Sequence, residues 1–305
     1  MRRLAVALLA VLSACAGAAG DDADGVTVVA TTSILGDVVS QVAGRTAEVV
    51  VLMEPGVDPH DFSPSARQVA AIESADLVVA NGLRLEEGLA GTLAAAAEDG
   101  TRVLELAPLA DPIPFGGSHH HEHDGHDHEG DDPHFYMDPT RVAGAVEAIA
   151  TELAAIDPAT DWESPAGAYI DELERLDREI EELLQPIPEE RRKLVTNHDA
   201  LGYFADRYGF EVVATIVPGG STLGEPSAAE LSALAALIRR EGIPAIFAET
   251  TAPAALADAL AREVGEEVRV YTLYTGSLGA PGSGADTYVG MMRHNARTIA
   301  EALGG

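Results

Sequence analysis

Residues 26–43 read VTVVATTSILGDVVSQVA. The first five form a short apolar run that predicts a strand, and the pattern over 34–43 has helical spacing. Outward from this pair the alternation continues, with strands predicted over 49–53, 77–80 and 102–106 and helices over 65–74 and 89–97. Short apolar strands separated by helical patterns are the signature of a parallel sheet wrapped by helices. A second series begins near Lys193, with strands over 194–197, 211–216, 245–248 and 268–272 and helices over 200–208, 228–241, 253–264 and 287–303. The fold class is therefore α/β, with two similar lobes that each carry a parallel sheet.

Residues 140–156 have helical spacing and stop at Asp157-Pro158. A longer amphipathic run over about 162–184 puts Tyr169, Leu173, Leu176, Ile180 and Leu183 or Leu184 on one face, before Pro186 and Pro188 end it. At about 1.5 Å per residue that run makes a rod of roughly 30 Å, a stiffer link between two lobes than a loop. The expected division is a leader over 1–14, a tether over 15–25, a first lobe over 26–138, a helical connector over 139–188 and a second lobe over 189–305.

The 305 residues carry 19 Lys+Arg against 50 Asp+Glu, a net charge of −31. This charge repels phosphate backbones and anionic headgroups, and Lys193 is the sole lysine, so nucleic-acid binding is excluded. The 47% hydrophobic content is too high for a disordered acidic chain, and one Cys rules out both a disulfide framework and a multi-cysteine zinc module. Any metal must be held by His and carboxylates. At the amino terminus, Arg2 and Arg3 precede nine apolar residues over 4–12, too few to span a bilayer and suited to a secretory leader. The following Leu12-Ser13-Ala14-Cys15 resembles the bacterial lipobox, in which the Cys becomes the acylated first residue; cleavage near Ala18 or Ala19 is the ordinary alternative. Export is expected either way, with membrane contact only through a lipid on Cys15.

Six of the 10 His, namely His119, His120, His121, His123, His126 and His128, lie in an acidic insertion over 117–133. That segment has no side chain with which to build a core and reads as a flexible loop. It would either raise the local zinc concentration or be a solvated insertion without a role. His60 stands in EPGVDPHDFSP (54–64), just beyond a predicted strand, and His198 directly follows the strand over 194–197. His134, in DPHFYMDP (132–139), repeats the Asp-Pro-His of the first motif. In parallel α/β lobes ligands bind outside the carboxyl ends of strands, and a neutral imidazole there offers a nitrogen with no charge to desolvate. A carboxylate is expected as fourth ligand. The choice lies between Asp286 in GSGADTY (282–288), which is also an N-cap position, and Glu249 at the end of the strand over 245–248. His294, beside Arg293 and Asn295 in the last helix, is expected to be a surface or structural residue. Three imidazoles and one carboxylate suit tetrahedral Zn²⁺, with Zn–N of about 2.0 to 2.1 Å, whereas Mn²⁺ prefers oxygen and loses on the Irving–Williams order.

These motifs occur in order with TTSILG (31–36), ADLVVANG (75–82), HDALGYFADRYG (198–209) and EPS (225–227), from Val26 to the C-terminus. Together they resemble the zinc/manganese solute-binding proteins of bacterial ABC transporters, the cluster A-I metal-binding lipoproteins. The resemblance implies two α/β lobes joined by one long helix, a metal in the cleft between them, and His60, His134, His198 and Asp286 as its ligands. A His at position 198, where manganese-type members often have a carboxylate, and the His-rich loop before the second ligand are zinc-type features. The family implies Zn²⁺ as transported cargo, a membrane permease with a cytoplasmic ATPase as partner, a zinc chaperone as a further partner, and a monomer without enzymatic activity. A manganese-type binder, an adhesin and a zinc buffer share the same motifs. A zinc hydrolase would need an open coordination position and a general base, and HExxH, GxSxG and phosphate-loop motifs are absent.

Overall fold

The computed structural model describes residues 25–115, 130–265 and 267–304. The expected leader, Cys15 and the six His of the insertion lie outside the described residues. The first lobe comprises β1 (Val26–Ala30), α1 (Ser33–Ala43), β2 (Ala47–Val51), α2 (Ala66–Ser74), β3 (Leu77–Ala80), α3 (Ala90–Glu98) and β4 (Val103–Glu105). Next come α4 (Pro139–Ile156) and α5 (Glu163–Leu184). The second lobe contains β5 (Lys193–Thr196), α6 (Gly202–Tyr208), β6 (Glu211–Thr215), α7 (Ala228–Glu241), β7 (Ala245–Glu249), α8 (Ala255–Val264), β8 (Arg269–Leu273) and α9 (Tyr288–Leu303).

Both sheets are parallel and wound alike, in the orders β2-β1-β3-β4 and β6-β5-β7-β8. The chain moves outward from the first strand of each lobe and returns on its other side. A crevice therefore opens at the carboxyl ends of β1 and β3, and equally of β5 and β7. The strand expected over 49–53 is shifted, because the ladder to β1 runs from Val26↔Ala47 to Ala30↔Val51. Leu52 and Met53 still donate to the carbonyls of Ala30 and Thr31, but they are already leaving the sheet toward the crevice.

Alternate residues of the strands face different apolar clusters, as the period of two demands. Val29 and Val78 join Ile72 and Leu93 beneath α2 and α3, while Val195 and Ile246 join Leu234 and Leu260 beneath α7 and α8. The opposite faces of both sheets meet in one core. There Val28 and Leu35 of the first lobe and Leu194, Phe247 and Met291 of the second share a cluster with Tyr169, Leu173, Leu176, Ile180 and Leu184 of α5. The rod predicted from periodicity is thus a spine embedded in the core of both lobes. Its other contacts also reach across: Asp177 accepts from Arg207 Nε at 2.9 Å and from the Tyr208 hydroxyl at 3.1 Å, and Glu179 accepts from Arg293 at 2.7 Å. Between the lobes, Ser33 and Ser277 share a hydroxyl hydrogen bond of 3.0 Å, and Asp37 accepts from Tyr288 N at 2.8 Å. No helix among the described residues is long and apolar enough to cross a membrane.

Leu176→Ala empties part of the core that the two lobes share and is expected to cost about 3 kcal/mol of unfolding free energy. Urea denaturation checks this against Glu174→Ala on the exposed face of the same helix, which is expected to change stability by less than about 0.5 kcal/mol.

Candidate metal centre

Strand register places the second-lobe histidine. Thr196 of β5 pairs with Phe247 of β7, so two residues further on His198 and Glu249 come level on either side of the crevice. His198 Nδ1 lies 2.5 Å from Glu249 Oε1, and the same oxygen accepts from His198 N at 3.3 Å.

The two Asp-Pro-His tripeptides build the same local turn. Asp58 Oδ1 accepts from His60 N at 3.0 Å and Asp132 Oδ1 from His134 N at 2.9 Å, with the intervening proline fixing φ. Beyond that the pair diverges. Asp132 also takes His134 Nδ1 at 2.7 Å, whereas the other oxygen of Asp58 accepts from Thr222 Oγ1 at 2.7 Å. His134 lies far along the chain from the first sheet, yet Asn81, immediately after β3, donates its side-chain amide to Pro133 O at 2.9 Å. Asn81 is itself held by Glu86, which accepts from Asn81 N at 2.7 Å and from Thr31 Oγ1 at 2.5 Å, tying the ends of β1 and β3 together. The second lobe adds Tyr203, whose hydroxyl donates to Asp132 O at 2.8 Å. His134 is thereby brought to the carboxyl end of the first sheet.

The result is a cluster of three imidazoles, each no more than 4% exposed. Their ring centroids are 5.1 to 5.6 Å apart, and one nitrogen from each lies within 4.8 Å of the others. His134 Nε2 and His198 Nε2 are separated by 3.2 Å. Two nitrogens bound tetrahedrally at about 2.0 to 2.1 Å stand about 3.3 Å apart, so the spacing suits a shared metal ion. Both ring nitrogens of His60 are buried without a hydrogen-bond partner. Orphaned polar atoms of this kind are costly, and a cation between the rings would satisfy the one that carries the lone pair. Glu249 and Asp132 stand behind the nitrogens remote from the centre and orient their rings, the usual arrangement behind a metal-bound imidazole.

Electrostatics follow the same division. Burial, aided by its two imidazole neighbours, pushes His60 down to about 2, and burial together with His198 holds His134 well below the usual imidazole range. Burial also lowers His198, but the charge and hydrogen bond of Glu249 outweigh it and leave His198 above its ordinary value. Burial raises Asp132 to about 7 against the lowering effect of the His134 N–H. Of the three rings, His198 is therefore the one that holds a second proton most readily, in competition with a metal.

Among the described residues, His60, His134 and His198 are the one such group of three or more ligand types. The Asp286 carboxylate, expected as the fourth ligand, stands outside this group. The positive φ values of Gly282 and Gly284 turn this segment back on itself, and the exposed Asp286 carboxylate accepts from Gly282 N at 2.7 Å. Nor is Asp286 the N-cap, since the Thr287 side chain caps α9 by accepting from Gly290 N. Glu249, the alternative, is turned to His198. His294 is exposed, with its ring edge-on to Tyr274 at 5.2 Å. Sequence reasoning missed Asn81 and the role of Asp132; the shared Asp-Pro-His was a signal for the latter, while nothing in the spacing of Asn81 marks it.

A family model described as ZnuA, zinc-uptake complex component A periplasmic, matches residues 28–302. The chain is 33% identical over 311 residues to the zinc-binding protein TroA of Treponema pallidum, covering 98% of this chain and 96% of TroA. It is 31% identical over 304 residues to the manganese-binding lipoprotein MntA of Halalkalibacterium halodurans, again covering 98% of this chain and 96% of the relative. Its fold matches the solved structure of the periplasmic zinc-binding protein TroA from Treponema pallidum with a TM-score of 0.80 and 32% identity, over 92% of this chain and 99% of that one.

Glu249→Gln is expected to weaken binding of a divalent cation by about 10- to 100-fold while the chain stays folded, as measured by titration calorimetry and circular dichroism. Affinity is expected to fall as pH is lowered from about 8 to about 5, because the His198 proton competes with the metal. Calorimetry in buffers of different ionisation enthalpy should show protons released as the metal binds, with a larger count below about pH 7, where Asp132 is protonated too.

Proposed function

This chain belongs to the ZnuA family of metal-binding, substrate-binding proteins of ABC transporters, and from that premise we propose that it captures Zn²⁺ outside the cytoplasmic membrane and delivers it to a membrane permease driven by a cytoplasmic ATPase. The observation that carries the choice of cargo is the donor set. Three buried imidazoles converge, two of them with Nε2 atoms 3.2 Å apart, and among the described residues no carboxylate oxygen joins the group. A nitrogen-only set favours Zn²⁺ over Mn²⁺, whose preferred ligands are carboxylate and water oxygens. Manganese is the competing reading, since several relatives are named for it.

In this reading His60 and His134 come from the first lobe and His198 from the second, so the ion bridges the lobes. A spine that packs into the core of both restricts wide hinging, and capture and release fall to the loops at the carboxyl ends of the strands. Cys15 would carry the lipid that keeps the protein at the outer face of the membrane, and the His-rich insertion would gather Zn²⁺ near the site. A zinc chaperone that supplies the ion fits the same scheme, and the protein would work as a monomer.

The test is to strip the protein of metal, refold it with equimolar Zn²⁺ and Mn²⁺, and weigh it by native mass spectrometry. A variant lacking residues 117–129 is expected to retain one Zn²⁺ and to lose it on His198→Ala. Retention of Mn²⁺ in place of Zn²⁺ would overturn the assignment.

A further inference from the structure

Residues 217–224, Val217-Pro-Gly-Gly-Ser-Thr-Leu-Gly224, follow β6 and play no part in the donor set. They nevertheless touch the loops of His60 and His198, and through Phe115 the segment that pairs with the loop of His134. At their start, Val217 N donates to Asn197 O at 2.7 Å and Gly219 O accepts from Asp199 N at 3.3 Å, on the two sides of His198. In the middle, the ring of Phe115 occupies the space where a side chain of Gly220 would stand, with Phe115 Cζ only 2.0 Å from the position of a Cβ. Phe115 follows Pro114, which forms an isolated antiparallel bridge with Asp131, and Ile113 O accepts from Asp132 N at 2.8 Å. That contact therefore bears on the segment leading to His134. Toward the end, Thr222 Oγ1 donates to Asp58 Oδ2 at 2.7 Å while Asp58 Oδ1 holds His60 N. The segment then folds back so that Gly224 lies against Val217 and Pro218.

Two of these contacts join the lobes. A single carboxylate, Asp58, bears both the turn that aims His60 and the hydrogen bond from the opposite lobe. Loss of the Thr222 hydroxyl would remove the direct tie of Asp58 to the second lobe without touching any imidazole, while Gly56 N still donates to Ser277 Oγ at 2.7 Å.

We propose that residues 217–224 form a strap that locks the three-histidine site in its holding arrangement, with Thr222 as the positioning residue that latches it to Asp58 and slows metal release. The proposal rests on the reading of the three histidines as the metal site. Its consequence is kinetic. The donor atoms and the number of ions bound stay the same, while the residence time of the ion depends on the latch.

The experiment uses the full chain loaded with Zn²⁺ and follows the slow phase of release into an excess of competing chelator by stopped flow. Thr222→Val keeps the shape and removes the hydroxyl, and it is expected to release Zn²⁺ about tenfold faster, the scale of one hydrogen bond to a carboxylate. Thr222→Ser keeps the hydroxyl and should restore the wild-type rate. Gly220→Ala, which drives a methyl into Phe115, should also speed release by lifting the strap. Equal rates for wild type and Thr222→Val, or a Thr222→Ser variant that behaves like Thr222→Val, would overturn the strap. A wild-type chain that binds no Zn²⁺ would instead overturn the metal-site reading on which it rests.

Discussion

The hydrogen bonds from Asp132 to His134 Nδ1 and from Glu249 to His198 Nδ1, 2.7 and 2.5 Å long, determine which nitrogen of each ring is left for a ligand. An ionised carboxylate only accepts, so Nδ1 keeps its proton and Nε2 presents a lone pair to the centre. Both carboxylates are buried, and their positions follow from the way the sheets are wound. Glu249 is the last residue of β7, across the switch point from His198, and Asp132 is tied to the second lobe through Tyr203 and to the first through Ile113. The chemistry of the centre thus draws on strand register at His198 and on the local Asp-Pro-His turn at His134.

The same dependence explains why the two lobes behave as one body around the site. A periplasmic receptor joined by flexible strands can close like a jaw, but here the residues of α5 that face inward belong to the core on both sides. Separating the lobes would expose Leu173, Leu176 and Ile180 to water, a cost of several kcal/mol at about 1.5 to 3 kcal/mol per buried side chain. Small displacements of loops at the rim of the crevice involve no such exposure. Specificity in this arrangement therefore comes from a preformed geometry that the ion must match, and less from closure around it.

Much of the architecture was legible in the sequence because the information is local. The apolar strands, the helical spacing of α5 and the paired Asp-Pro-His tripeptides are periodicities and short motifs, and these motifs and strand ends are what single out the three histidines in the sequence. What was illegible depends on pairings between distant segments. Glu249 meets His198 only because Thr196 pairs with Phe247, and no spacing along the chain encodes that register. Asn81 reaches Pro133 across about fifty residues. Asp286 is governed by local chemistry instead: Gly282 and Gly284 adopt the left-handed conformations that fold its carboxylate onto its own turn. Residues at the turn chemistry of a single loop and residues fixed by sheet register look alike in one dimension.

The bridge between Pro114 and Asp131 has a consequence for how such a receptor can vary. It closes the insertion at its root, so the chain re-enters the fold at Asp132 in the same position however many residues lie between. Because Asp132 also orients the His134 ring, the root of the insertion and the aim of one imidazole are set by adjacent residues of the same short stretch.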